Sequence, residues 1–321
     1  KRLMGYTRPY KRQFIGAIVA AALLAGMNVL LPFILQQFMD RYLANQSATV
    51  QILLLFAALY AFGTLVKAVF QFFQTFLFNM GAERGLEDAR RQLFAKLHTL
   101  GMRYFDQTPA GSIVSRVTND TMTFSDFWNV ILAVIVGLFS VISSFAIMFA
   151  ANPKIALMVA AFLPILLIVV WYYSTYSSKV YRHMREKLSE LNTQLNESIE
   201  GIGIIQQFRQ ENRISQEFEA TNEEYLDSRK AMIRVNSLLL SSVINLLYSF
   251  ALIAVLWAFG LISMHSYVEA GLIYAFTTYT ANFFNPMVNM MDNLSFLQDG
   301  VVAGSRIFRI LDSQEYAPAQ H

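Results

Sequence analysis

The segment YFDQTPAGSIVSRVTND, Tyr104–Asp120, decides how this chain folds, because it is polar and sharply turned and lies between two long apolar runs. A proline and a glycine close together in a polar segment are typical of a turn. A turn flanked by such runs indicates a hairpin that leaves an apolar environment, reverses and returns. The charged and turn-forming residues of the segment are Asp106, Arg116, Asp120, Pro109 and Gly111.

The composition of the chain indicates a membrane protein. Of its 321 residues, 55% are hydrophobic and 15% are charged, and the mean hydropathy is +0.40; soluble domains carry about a quarter charged residues. A helix of about 20 apolar residues crosses a bilayer, and continuous apolar runs disfavour alternating membrane strands. We therefore predict an all-α membrane protein with six transmembrane helices, at about residues 13–39, 51–80, 127–151, 155–178, 237–262 and 269–291.

The lysines and arginines predict the orientation of these spans. If both termini lie on one side, 22 of the 25 Lys and Arg residues lie on that side, and the exceptions are Arg41, Lys67 and Lys154. Such residues accumulate in cytoplasmic loops. We therefore expect both termini to be cytoplasmic, together with two long segments at about 81–126 and 179–236.

Several classes of function are excluded or left without support. The chain has no cysteine, which excludes disulfides, zinc fingers and thiol catalysis. Its four histidines are too scattered to form a metal-ligand set, and no serine, histidine and acid grouping stands out. A basic surface interleaved with aromatic residues, as single-strand binders use, is also missing from the sequence. We predict no catalytic residue, no metal and no nucleic-acid partner.

The two cytoplasmic segments are predicted to be helical hairpins, since their leucines keep helical spacing. An arm of about 25 residues reaches about 37 Å. In the first hairpin, Pro109 and Gly111 break the descending helix and Ser112 caps the returning one; the second has a polar tip at Phe208–Phe218, FRQENRISQEF. The two tips indicate docking to a partner, and the alternative is a pair of solvated turns.

These segments resemble a known family. The first matches the pattern of the first cytoplasmic loop of ATP-binding-cassette (ABC) exporters, F-[FY]-D, then G-x-[IVL]-x-S-R, then D, and IIQQFRQENRISQEFEATN (204–222) is similar to the second loop. GSRIFRILD (304–312) is similar to the segment that joins the last span to the ATPase domain. The chain is thus identified as the transmembrane domain of a bacterial multidrug-type exporter. The matching loop residues are Phe105, Asp106, Gly111, Ser115, Arg116, Asp120, Phe208, Glu211, Phe218 and Asn222.

The resemblance implies an architecture and its partners. It implies the ABC exporter type I transmembrane fold at 13–312, with an N-terminal elbow at 1–12 and a linker stub at 313–321, in the bacterial inner (plasma) membrane. The fourth and fifth spans would swap into a second transmembrane half, giving a domain-swapped dimer within the lipid bilayer. We favour a sister subunit over an identical chain as that half.

The resemblance also implies coupling to nucleotide-binding domains. A short coupling helix at each tip, at about 106–114 and 208–216, would dock on such a domain, while Arg116 and Asp120 brace the hairpin. The 321 residues contain no G-x-x-x-x-G-K-[ST]. ATP and Mg²⁺ are therefore expected on an ATPase domain that follows in the same polypeptide or is a separate chain. The coupling residues are Asp106, Gln107, Thr108, Pro109, Gly111, Phe208, Arg209, Glu211 and Asn212.

Polar residues within the spans predict a substrate cavity. In the sixth span they recur at helical spacing up to Asp292, within an arc of about 80°. The alternative is interhelical hydrogen bonding, worth about 0.6 kcal/mol for each bond. Lys67 in mid-span costs at least about 2.5 kcal/mol, so we place it on the cavity; the alternative is a side chain that snorkels to an interface. The predicted cavity, for hydrophobic small molecules, comprises Lys67, Gln71, Gln74, Thr278, Asn282, Asn285 and Asn289.

Two functions from different classes follow. The first is the membrane-spanning subunit of an ATP-driven exporter that moves amphipathic drugs or lipids outward by alternating access. The second is a secondary transporter or channel with Lys67 as its coupling group. Long cytoplasmic arms favour the exporter, because the second class needs no docking levers. A membrane enzyme has no candidate active site in this sequence.

Overall fold

The computed structural model describes residues 3–315, without the side chains at positions 3, 4, 6, 7, 124, 240, 241, 291, 292, 294, 295 and 298. Within this range the all-α prediction is confirmed. A 3₁₀-helix, Leu3–Tyr10, comes first, and π-helical turns at Met39–Leu43 and Asn236–Ser242 extend longer helices. The α-helices are α1 (Lys11–Phe38), α2 (Val50–Leu97), α3 (Met102–Gln107), α4 (Ala110–Ala151), α5 (Pro153–Ala160), α6 (Phe162–Glu200), α7 (Ile202–Gln207), α8 (Glu211–Val235), α9 (Val243–Ser263), α10 (Ala270–Asp292) and α11 (Leu294–Leu311).

Five helical stretches in the described part of the chain are long and apolar enough to cross a membrane, and they contain the first five predicted spans. The sixth predicted span coincides with α10, whose threonines and asparagines lower its hydropathy, and α10 is not among the five. The chain is thus a multi-pass membrane protein by composition, and the count of six remains a prediction. The five stretches are Arg8–Leu43, Val50–Leu97, Ala110–Ala151, Pro153–Glu200 and Glu211–Ser263.

Several of these helices are much longer than a bilayer is thick. The 48 residues of α2 extend over about 72 Å at 1.5 Å per residue, whereas a hydrocarbon core is about 30 Å thick. The apolar half of α2 is also open, with Phe62 65% and Leu65 66% exposed. In a soluble protein such a surface would favour aggregation, whereas in a membrane it contacts lipid. The remainder of α2 therefore belongs to a hairpin with α4, and α3 lies at its tip.

Within the described part of the chain, residues 3–159 and 251–315 form one compact unit. Its central core joins α1, α2 and α4, where the ring of Phe14 packs edge-on against Phe78 at 5.1 Å and lies 5.5 Å from Trp128. The fourth helix of this core is α10, whose Tyr279 hydroxyl donates to the carbonyl of Val29 at 3.1 Å. These four helices surround the site described below.

Residues 160–250 form a second unit, an antiparallel hairpin of α6 and α8 with α7 at its tip. The pairings between the two arms of the hairpin show that the arms are antiparallel. As the residue number rises along α6, the number of the paired residue on the returning helical arm falls. Helix α6 begins after a break at Ala161, since Pro164 has no N–H for the carbonyl of residue 160. The hydrogen-bonded or ionic pairs are Tyr173–Asn236, Lys187–Glu224 and Gln194–Thr221.

Candidate functional site

A cavity of about 390 Å³ lies among α1, α2, α4 and α10 in the first unit. Its wall is part apolar, from residues such as Leu24, Leu132 and Val136, and part amide. None of the lining residues that the structure describes is charged. We call this space the amide cavity, after its seven carboxamide side chains: Asn28, Gln71, Gln74, Asn129, Asn282, Asn285 and Asn289.

Most of these amides are open to the cavity rather than paired across helices. Asn282 makes one long contact, from its Nδ2 to the carbonyl of Asn28 at 3.5 Å, and its own carbonyl accepts from Ser140 Oγ at 3.0 Å. The side chains of Gln74, Asn129 and Asn285 make no hydrogen bond to any residue in the described range 3–315, although Gln74 is only 5% exposed. None of the amide atoms of these three residues is among the buried unpaired atoms of the described residues. They are therefore open to the cavity and can hydrogen-bond a molecule within it.

The structure brings together five of the seven predicted cavity residues: Gln71, Gln74, Asn282, Asn285 and Asn289. Lys67 lies one helical turn from Gln71, half-buried, outside the lining, and forms no ion pair with the described residues. Thr278 is also outside, and its hydroxyl donates to the carbonyl of Tyr274 at 3.1 Å. The side chain of Asp292 is outside the described set. Sequence reasoning missed Asn28 and Asn129, whose one signal is an amide within an otherwise apolar run.

The tip of the first hairpin differs in position from the prediction. The short helix is α3, at 102–107 rather than at 106–114, so that Asp106 and Gln107 end it and Thr108 follows it. Pro109 is the residue before α4, and Gly111 lies in the first turn of α4. Ser112 as the helix cap is wrong: the extended Pro109 (φ −56°, ψ 136°) already starts the helix, and the Ser112 N–H donates to the Pro109 carbonyl at 2.9 Å.

The tip of the second hairpin is built in a similar way and is apolar at its surface. Helix α7, at 202–207, ends in a Schellman motif, in which Arg209 has a φ of 51° and the N–H of Gln210 donates to the Ile205 carbonyl at 2.9 Å. Phe208 is 67% exposed and Ile204 65%. Glu211 and Asn212 begin α8. An exposed apolar cluster on a polar hairpin indicates a docking surface.

A second set of contacts ties the half of the first hairpin next to its tip to α11, and we call it the α11 clamp. It comprises the apolar cluster Leu93, Leu100, Ile307 and Ile310 and the ion pair of Asp120 with Arg306, whose Oδ1 and Nη1 lie 3.4 Å apart.

Two further contacts lie beside the clamp. The Nε of Arg90 donates to Thr121 Oγ1 at 3.0 Å, and Arg116 Nη1 donates to the Tyr104 hydroxyl at 3.3 Å. Arg116 therefore contacts the tip segment. Asp120, in contrast, connects α4 to a helix almost 200 residues away in the chain.

Comparisons with known proteins give the following matches. The chain matches the ABC transporter transmembrane region family over residues 14–287. A putative ABC transporter ATP-binding protein of Streptococcus pneumoniae, exp8, is 34% identical over 322 residues, covering 100% of this chain and 54% of that protein. The probable multidrug resistance ABC transporter ATP-binding/permease protein YheH of Bacillus subtilis is 32% identical over 257 residues, covering 78% and 38%. The multidrug resistance-like ATP-binding protein MdlB of Buchnera aphidicola (subsp. Schizaphis graminum) is 28% identical over 321 residues, covering 98% and 54%. The chain spans about half the length of these relatives, or less.

Proposed function

This chain belongs to the transmembrane-region family of ABC transporters, and on that basis we propose that it is the membrane-spanning part of an ATP-driven exporter that moves amphipathic drugs or lipids outward by alternating access. The observation that carries the proposal is the pair of long hairpins, each ending in a six-residue helix with exposed apolar side chains. Two of the relatives are named for multidrug resistance, which supports the class of substrate.

We assign the two tips to nucleotide-binding domains. Phe208 on the second tip and Met102 on the first are 67% and 73% exposed, and burying such side chains in a groove would hold each tip to a moving domain. The relatives are named as ATP-binding proteins, whereas the 321 residues contain no P-loop. We therefore assign ATP and Mg²⁺ to a nucleotide-binding domain, either in the same polypeptide or in a separate chain. The α11 clamp would pass a displacement of the first hairpin on to α11.

The topology that fits this mechanism has six spans, with α10 as the sixth and both termini in the bacterial cytoplasm. A polar α10 fits this placement, because polar residues in a membrane helix face a cavity or a partner helix. The second transmembrane half, a sister subunit in preference to an identical chain, would receive the fourth and fifth spans. Most of the fourth span and the first part of the fifth, residues 237–250, lie in the second compact unit, which is compatible with that exchange.

The test is Phe208→Ala in the complete transporter, reconstituted in lipid nanodiscs. We expect the variant to fold and to lose most amphiphile-stimulated ATPase activity, measured with neutral, cationic and anionic amphiphiles, because the second tip no longer holds its domain. Phe62→Ala is the matched control, since Phe62 is equally exposed but lies on the lipid-facing part of α2. Equal activity of the two variants, or no stimulation of the wild type by any amphiphile, would contradict the proposal.

A further inference from the structure

We propose that the amide cavity binds an uncharged, amide-bearing part of the transported compound, and that the transporter therefore prefers neutral peptide-like amphiphiles to organic cations and anions. The inference rests on the proposed function and deepens it by naming the chemical class of the substrate.

The first argument is the chemistry of the wall. Each carboxamide offers an oxygen that can accept two hydrogen bonds and an NH₂ group that can donate two, so seven of them present donors and acceptors in similar numbers. A peptide group, with one donor and one acceptor, complements such a wall. Backbone groups add little to this wall, because helical carbonyls and N–H groups are already bonded within their helices. Hydrogen bonding to a neutral polar ligand is therefore the main polar interaction that the cavity offers.

The second argument is the burial of Gln74. Gln74 is only 5% exposed, it lines the cavity, and its amide makes no hydrogen bond to the described residues. Interhelical pairing does not explain this amide, since nothing across the cavity accepts from it or donates to it. The amide atoms are open to the cavity, so a ligand amide there could donate to Gln74 and accept from it.

The third argument is the lack of charge in the lining. Moving an ion out of water without a counter-ion is unfavourable by several kcal/mol. No side chain of the lining supplies a counter-ion. Glu83 lies about 18 Å along α2 from Gln71, at 1.5 Å per residue, and accepts from Ser125 Oγ at 3.1 Å. Lys67 is outside the lining and would repel cations. A neutral ligand incurs none of these costs.

A neighbouring groove accommodates the apolar part of such a ligand. It has a volume of about 540 Å³, lies along α2 and is lined by Phe72, Phe76, Asn79 and Met80, with the carboxylate of Glu83 at the end farther from Gln71. It shares Gln71 and Thr75 with the amide cavity, so the two spaces adjoin. The combination fits an amphiphile whose amides lie in the cavity and whose apolar groups lie in the groove.

The experiment measures binding of three blocked tripeptides to the complete transporter in nanodiscs without nucleotide. The probes are tritiated N-acetyl-Phe-Ala-Phe-amide and its analogues with lysine or glutamate at the centre. We expect the neutral peptide to bind at least tenfold more tightly than either charged one. Gln74→Glu places a carboxylate in the cavity, and should favour the lysine peptide over the glutamate peptide by at least a further tenfold. Gln51→Glu, at the exposed start of α2, is the control and should leave the ratios unchanged.

The binding ratios and the ATPase activity together test this inference separately from the proposed function. Charged peptides that bind the wild type as tightly as the neutral one, or no binding of the neutral one, would overturn the inference. Unchanged ratios in both Gln74→Glu and Asn285→Asp would do so as well, and the second variant covers a folding failure of the first. If the affinity ratios differ from those expected but amphiphiles still stimulate an ATPase activity that depends on Phe208, the proposed exporter function is retained and this inference is rejected. If binding shows the expected ratios without such stimulation, the cavity stands and the exporter falls.

Discussion

The two ends of the α2–α4 helix pair use polar side chains in opposite ways. In the amide cavity, Gln74 of α2 and Asn129 of α4 are open and make no hydrogen bond to the described residues. About 24 Å further along α2, at 1.5 Å per residue, Arg90 donates to Thr121, and Asp120 is paired with Arg306. The same two helices thus combine a region of unpaired amides, open to a cavity, with a region whose side chains are joined by an ion pair and a hydrogen bond. We infer that the first binds ligand and the second holds helices in place.

The difference matters for a transporter because affinity for the ligand has to change between two states. In the proposed mechanism, open amides would contact a ligand in one arrangement of the helices and lose it in another. The ion pair between α4 and α11 would instead keep these two helices together in both arrangements. The clamp and the cavity should therefore respond to mutation with opposite signs.

The largest expected effect is at the clamp. The Asp120 side chain is 11% exposed, and its Oδ2 is buried without a hydrogen-bond partner among the described residues. Arg306→Ala removes the cation and leaves the carboxylate enclosed, which should cost about 1–3 kcal/mol of unfolding free energy. That figure stays below the cost of a fully buried pair because Arg306 is 55% exposed. The measurement is the melting temperature of the purified transporter in detergent.

The control is the double variant Asp120→Asn with Arg306→Ala. A neutral amide needs no cation, so the double variant should recover part of the loss, as a double-mutant cycle would quantify. A melting temperature for Arg306→Ala that equals that of the wild type would show that the pair does not hold α4 to α11, and the comparison would fail at this end.

The next effect has the opposite sign and lies in the cavity. Gln74 is 5% exposed and its amide makes no hydrogen bond to the described residues, so replacing it in Gln74→Leu with an apolar side chain of similar size should stabilise the protein by about 1 kcal/mol. The same change should weaken binding of the neutral blocked tripeptide, the usual exchange of stability for function. Gln51→Leu, on an exposed turn of the same helix, should leave both measurements unchanged. A lower melting temperature for Gln74→Leu would mean that its amide supports the structure.

The sequence predicts the helices and part of the cavity because both depend on local rules. A bilayer requires every backbone group to be satisfied within its own segment, so an apolar run of sufficient length becomes a helix. The asparagines of α10 follow the helical repeat, which places them on one face without knowledge of any other helix. Asn28 and Asn129 are single amides on their helices, with no repeat to mark them. Only the packing of α1 and α4 reveals that they reach the same cavity.

The remaining differences are long-range or concern helix ends. The partner of Asp120 is 186 residues away, which no periodicity predicts. The tip helices begin at Met102 and Ile202, four and six residues before the predicted starts, because the apolar residues of α3 and α7 form the helix and the polar ones end it. The cost of a charge within a span predicts that Lys67 faces water or a partner. It does not specify which face of α2 the residue occupies.

The smallest expected effect concerns the paired region of the second unit, where Lys187 bridges α6 and α8. Its ammonium lies 2.5 Å from Glu224 and 3.1 Å from Glu190, and these two hydrogen bonds raise the pKa of Lys187 above its ordinary value of 10.5. A raised lysine pKa means that the stabilisation is fully present below pH 10.5 and is lost as the pH rises through the folded-state value. Lys187→Met should therefore lower the melting temperature of the transporter slightly at pH 8, and the difference from the wild type should shrink at pH 11.

Lys230→Met is the control for this prediction. It removes a pair within α8 alone, that of Lys230 with Asp227, and should have a smaller effect at pH 8. If the two variants behave alike, the contact between α6 and α8 stabilises the protein no more than an exposed pair within one helix does. Paired polar side chains would then not mark the regions that hold the helices of this molecule together.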